Sequence, residues 1–217
     1  MRCLNFADAW LAVWIVLSLT APAWAGRPLN VDDANVNDAG EGQLETWYAR
    51  EPGGSGMWNI ATAYSPLAGL EFGAAAARDR AFRFNIFSVQ AKFQIGEPSE
   101  TGCHYAGVVG VQNPDGQAGG SPYATAIMTC SVEPGALHVN LGASRAPGGS
   151  AVPALGVAWE QDLSFATGHV EMLAIKRTKP AFNVGLRREI VTGVQIDGSV
   201  GRSDRQTLWS IGMKFQY

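Results

Sequence analysis

Few side chains in this sequence have chemistry to offer, and the spacing of each group limits what it can do. His104, His138 and His169 are the imidazoles available as bases. Hydrolysis or acyl transfer needs one of them within hydrogen-bond reach of a nucleophile, with a third group orienting the ring. None has a diagnostic serine neighbour, and the H-x-S-N arrangement that would mark a lipid deacylase is missing. Ser144 lies six residues from His138 in the same run, too far along an extended strand rising about 3.3 Å per residue. A serine from another strand is the remaining route to an enzyme, so no catalytic residue is assigned and a lipid-modifying enzyme stays an alternative. The stretch Asp32-Asp33-Ala34-Asn35-Val36-Asn37-Asp38 has calcium-like oxygens, yet a frame opening at Asp33 puts Asp38 where the turn glycine belongs and Leu44 where the closing glutamate belongs. No GK[ST] element follows any Gly-x-Gly spacing, so no phosphate loop is expected. Neither a metal nor a cofactor is called for.

What remains is a set of isolated polar residues, and they acquire meaning from the elements that hold them. The chain has 217 residues, 47% hydrophobic but only 16% charged, against roughly 25% charged in an ordinary soluble domain. A formal charge of −3 leaves no basic stripe for a nucleic-acid backbone, and mean hydropathy near zero is too apolar for disorder. Short runs alternate with a period of two, and no window carries a 3.6-residue apolar stripe. Trp209, Ile211, Met213, Phe215 and Tyr217 share one face, with Ser210, Gly212, Lys214 and Gln216 on the other. Phe87, Val89, Ala91, Phe93 and Ile95 alternate with Ser88, Gln90, Lys92 and Gln94, and Leu137, Val139 and Leu141 with His138, Asn140 and Gly142. The fold class is all-β.

The start of the chain reads as an address label. Arg2, an apolar run from Trp10 to Ala21 and the A-x-A site Ala23-Trp24-Ala25 have the order of a cleaved secretory signal. The apolar run is shorter than the roughly 20 residues a membrane helix requires. Residues 1–25 are therefore expected to leave, residues 26–41 to form a solvated N-terminal segment, and residues 42–217 to form the folded unit. Cys3 departs with the signal, leaving Cys103 and Cys130, a pairable number in an exported chain.

Eleven clusters of turn residues, from Glu51–Gly56 to Gly201–Asp204, divide the mature chain into twelve strands, with ten as the competing count. Antiparallel pairing keeps the midpoint of paired positions constant. The midpoint of Cys103 and Cys130 falls between Gly116 and Gln117, beside the turn signal Pro114-Asp115-Gly116. That register sets the two cysteines opposite one another, as a disulfide or as two free thiols on adjacent strands.

Alternation alone does not identify the solvent; the polar face does. It is dominated by Gly, Ala, Ser, Asn and Gln with scattered charges, which suits a confined interior better than the Lys- and Glu-rich face of a soluble sandwich or a soluble periplasmic binding barrel. The apolar face carries Val, Ile, Leu and Phe, with Trp58, Tyr64, Phe72, Trp159, Phe182 and Trp209 near strand ends, the distribution of a lipid-facing band with aromatic girdles. Open edges are costly in hydrocarbon, so the sheet is expected to close into a transmembrane barrel. Its lumen would then hold Glu45, Glu71, Gln90, Lys92, His138, Glu160, Asp197 and Lys214, with Glu171 and Arg187 as further candidates. Charges of both signs in a narrow lumen make either a salt-bridged plug or a wet path for polar solutes.

These features resemble Gram-negative outer-membrane β-barrel proteins over nearly the whole mature chain. In that family the last strand ends in an aromatic residue with apolar residues at alternate preceding positions; here Tyr217 is terminal, preceded by Phe215, Met213 and Ile211. The opening Arg27-Pro28-Leu29-Asn30-Val31-Asp32-Asp33-Ala34 is similar to the RPL-x-x-DDA start of a poorly characterised group of proteobacterial barrels described as transporters. The resemblance implies export to the outer membrane, both chain ends in the periplasm, and an assembly signal at Ile211, Met213, Phe215 and Tyr217 read by the barrel assembly machinery. It further implies outer-membrane lipid as a partner and a porin-like passive channel or structural barrel for small polar solutes. No outer loop is long enough to fold inward as a constriction.

Overall fold

The computed structural model of the protein describes residues 29–50, 55–81, 83–96, 102–115 and 118–217. The expected secretory signal, residues 1–25, and the residues up to Pro28 lie outside that set. Twelve antiparallel strands make up the fold: β1 (Gly42–Arg50), β2 (Gly56–Leu67), β3 (Leu70–Asp79), β4 (Asn85–Ile95), β5 (Gly102–Pro114), β6 (Ser121–Val132), β7 (Gly135–Ser144), β8 (Val152–Asp162), β9 (Thr167–Ile175), β10 (Ala181–Val191), β11 (Val194–Ser203) and β12 (Gln206–Gln216). Each strand pairs with its sequence neighbours, and β12 returns to pair with β1, giving a closed barrel. The ten-strand alternative is thereby excluded.

Local chemistry sets the connections. Between β10 and β11 the chain reverses at Thr192-Gly193, with Val191 paired to Val194 and Gly193 at a φ of +76°. A two-residue hairpin turn demands that left-handed backbone, and only glycine adopts it without a steric penalty. At the seam Glu45 stands opposite Lys214 and Tyr48 opposite Ile211. The last residue completes the closure: Tyr217 N–H donates to the Gly42 carbonyl at 2.9 Å, and Gly42 N–H donates to the Tyr217 carbonyl at 2.7 Å. No strand edge is left unpaired, which removes the row of open backbone groups that would otherwise need water or a partner.

The two faces of the sheet differ sharply. Trp58, Phe72, Phe87, Val170, Phe182, Val200 and Ile211 are exposed on the outer surface, Ile211 at 63%. Glu45, Lys92, His138 and Asp197 are buried on the inner face. A soluble barrel would reverse this arrangement, because exposed apolar area in water costs roughly 25 cal/mol per Å². Cys103 and Cys130 are register partners on β5 and β6 and are joined by a disulfide, near the rim where β1 begins and β12 ends.

Candidate pore lumen

Period-two geometry carries alternate residues of every strand into the barrel, and the polar candidates fall on that face. Glu45, Glu71, Gln90, Lys92, His138, Glu160 and Asp197 are buried there, as is Glu171; Lys214 and Arg187 are half-buried. They do not converge on one point but spread around the wall, and what links several of them is the N-terminal segment.

That segment, residues 29–41, is solvated only in part: Leu29, Val31, Asp32 and Ala34 are buried, while Asn35 and residues 38–40 are exposed. It enters at the rim of the chain ends and lies along the inner wall formed by β3 to β9. Near the rim, Asn37 donates to Glu71 through its backbone N–H (3.1 Å) and its side-chain amide (2.8 Å). His104 Nε2 donates to Asn35 Oδ1 at 2.9 Å. Deeper, Ala34 N–H donates to Thr129 Oγ1 at 2.8 Å, and Asp32 N–H donates to Asn140 Oδ1 at 2.7 Å while Asn140 Nδ2 returns a bond to the Asp32 carbonyl. At the described end, the Glu171 carboxylate accepts from Asn30 N–H at 2.7 Å, Asn30 Nδ2 at 2.6 Å and Val31 N–H at 3.0 Å. Wall side chains thus satisfy the backbone donors of a peptide that has no sheet partner, as burial requires.

One ion pair anchors the arrangement. Lys92 Nζ lies 2.9 Å from Asp32 Oδ1, and the two side chains are 4% and 2% exposed. Two charges so far from water persist only because each compensates the other. Apolar contacts add shape: Leu29 and Val31 pack with Ala158, and Ala34 packs with Ala106, Val108 and Ile127. Gly156 is a place where the backbone must be bare, because a Cβ there would come within 2.9 Å of Val31 Cγ2.

The expectation of a solvated tail fails for a definite reason. An isolated run such as Asn30 to Asp38 is polar enough to stay in water, but here every inward turn of it meets a pre-placed acceptor or donor. Its aspartates are likewise committed: Asp32 to Lys92, and Asp33 Oδ1 to the Asn35 N–H at 2.7 Å. Among the described residues it is the N-terminal segment that occupies the lumen along this wall.

The histidines fall into the same framework. Thr129 Oγ1 accepts from Ala34 and sits 2.9 Å from His138 Nδ1, and His138 Nε2 lies 3.4 Å from Glu160 Oε2. Arg187 donates to the same Glu160 oxygen at 3.0 Å. Thr129, His138 and Glu160 thus lie in a row, with Thr129 buried and its hydroxyl oxygen bonded by the segment's Ala34 N–H. The other wall contains a feature that sequence reasoning missed: Trp47, buried with Ala49 and Ala61, projects inward from β1. Its odd-numbered position, two residues after Glu45, was the available signal.

Two spaces open on the barrel interior. A cleft of about 730 Å³ opens on the rim of the chain ends, with Ala136, Glu160, Arg187, Gln195 and Lys214 on its inner-face side. On the opposite side a recess of about 70 Å³ has Asn30 beside Tyr123, Asn140 and Gly156.

Solved structures that superpose on this barrel include porins. KdgM porin superposes with a TM-score of 0.67 at 12% identity, covering 80% of this chain and 98% of that one. KdgM porin in complex with disordered oligogalacturonate gives 0.63 at 14% identity, over 81% and 98% of the two chains. A triple mutant of Rhodopseudomonas blastica porin is more distant, at 0.44 and 17% identity over 74% and 55%. The chain shares the KdgM-type barrel fold. No family model and no curated protein matches the sequence.

Proposed function

We propose that this protein is a narrow passive channel of the bacterial outer membrane for small polar solutes, with its own N-terminal segment as the constriction. The observation that carries this reading is the joint one of a barrel apolar outside, polar inside, and partly filled by residues 29–37. The outer surface suits hydrocarbon and the inner face suits water. A twelve-stranded barrel falls between small barrels filled by side chains and the 16- to 18-stranded porins with open channels, and the segment narrows it further. Tyr217, Phe215 and Ile211, exposed on the outer face of β12, with half-buried Met213 between them, would serve as the signal for the assembly machinery before the strand meets lipid.

Planar bilayers containing the purified protein test the proposal. Discrete conductance steps smaller than those of open 16-stranded porins are expected, and deleting residues 29–38 should enlarge them. A barrel that is electrically silent with and without those residues would overturn the channel.

A further inference from the structure

We infer that the lumen passes cations and neutral solutes in preference to anions, and that Asp33, Glu71 and Glu171 are the charges that set this preference. The inference deepens the channel reading and rests on it. Two ion pairs cancel within the lumen: Lys92 with Asp32 at 2.9 Å and Arg187 with Glu160 at 3.0 Å.

Three carboxylates are held differently. Glu71 is bonded by the backbone and side-chain amide of Asn37. Glu171 is bonded by Asn30, Val31 and Asn183, four neutral N–H donors between 2.6 and 3.0 Å. Asp33 accepts from the Asn35 backbone. Every one of these donors is uncharged. Lys92 faces Glu71 across β3 and β4 but is already paired with Asp32, so one cation serves several carboxylates. Lys214, the remaining inner-face cation among the described residues, stands opposite Glu45.

Position gives the three carboxylates leverage. Glu71 and Glu171 lie behind the N-terminal segment, toward its rim end and its deep end. Asp33 is half-buried between the buried Asp32 and Ala34, and its Oδ1 accepts from the Asn35 N–H. A passing ion therefore meets a negative field along the length of the constriction, in a confined space of low dielectric where fixed charges act strongly. Rings of carboxylates select cations in channels by the same physics. An anionic oligosaccharide such as the oligogalacturonate in the KdgM porin complex would be a poor solute here.

The test is the reversal potential of the full-length protein in planar bilayers under a tenfold KCl gradient. A potassium-to-chloride permeability ratio of about 5 is expected. Asp33→Asn, which preserves the bond from the Asn35 N–H, should lower the ratio about twofold, and Glu71→Gln should do the same. Lys214→Gln should raise it. Heat-modifiable gel mobility verifies that each variant folds. A ratio at or below one in wild type, or unmoved by both Asp33→Asn and Glu71→Gln, overturns the selectivity and leaves the channel intact; absence of any conductance removes the channel reading and this inference with it.

Discussion

The inner wall made by β3 to β9 and the wall made by β10 to β12, β1 and β2 belong to one continuous sheet, yet they are built for different company. The first presents isolated acceptors and donors, Glu71, Thr129, Asn140 and Glu171, each bonded to the N-terminal segment. Between them sit small residues, Ala106, Gly156 and Ala158, that leave space for a peptide. The second wall turns its groups to one another or across to the first: Ser199 and Ser210 bond each other at 2.7 Å, Asn183 donates to Glu171 and Arg187 to Glu160, and Trp47 covers Ala49 and Ala61. Polarity alone does not make a lumen wall a conduit; what distinguishes the two is whether its polar groups are already spoken for.

Lysine replacement gives the widest separation between the walls. Lys92→Met strands the Asp32 carboxylate in a site that is 2% exposed, and removing one partner of such a pair costs about 3–5 kcal/mol. The expected outcome is release of the segment: rapid limited proteolysis within residues 29–41, larger conductance steps and a lower urea midpoint in detergent. Lys214→Met removes a half-buried cation that makes no ion pair among the described residues and should change stability by no more than about 0.5 kcal/mol. Equal responses from the two variants would erase the distinction between the walls.

The Cys103–Cys130 disulfide sharpens the comparison from outside. It joins the outer sides of β5 and β6, across 27 positions of sequence, and therefore restrains the covered wall without touching the segment. Loop-closure reasoning assigns it about 3–4 kcal/mol. The double variant Cys103→Ser, Cys130→Ser should lower the urea midpoint accordingly, and reduction of the wild type should lower it as far. Protease resistance of residues 29–41 in the folded barrel should persist, since none of their contacts is lost. If the segment is freed, the two faces of that wall are mechanically coupled.

The barrel was legible in the sequence because its determinants are local. Alternation at β4 or β12 fixes which face each residue joins, turn residues mark all eleven breaks, and the midpoint of Cys103 and Cys130 sets the β5–β6 register that the pairing shows. The segment was not legible, and the reason is physical. It has no period, and its partners lie far along the chain, Glu71 at 34 positions from Asn37 and Glu171 at 141 from Asn30. Such contacts leave no mark on neighbouring residues. A fainter signal existed in the inner positions of β5 to β8, where Ala106, Gly110, Gly142, Gly156 and Ala158 are too small to fill a lumen by themselves. Trp47 on the opposite wall shows what a filled position looks like.

The smallest effect isolates a single point of contact between segment and wall. A methyl at position 156 would meet Val31 Cγ2 at 2.9 Å and Cγ1 at 3.3 Å, closer than ordinary packing, so Gly156→Ala should destabilise docking by about 1–2 kcal/mol. Val31, fully buried, loses two packed methyl groups in Val31→Ala, at a cost of about 1–2 kcal/mol. If the two residues touch, the penalties cannot add. Truncating Val31 vacates the space that the new methyl needs, and the methyl in turn fills part of the void. The double variant should therefore be more stable than the sum of the single variants predicts by about 1 kcal/mol, within the range seen for contacting pairs. Urea titrations of the four proteins, followed by protease resistance of residues 29–41, measure that difference. Additivity within about 0.3 kcal/mol would mean that Val31 does not rest on β8 in the folded protein, and the covered wall would then lose the contact that explains why position 156 is glycine.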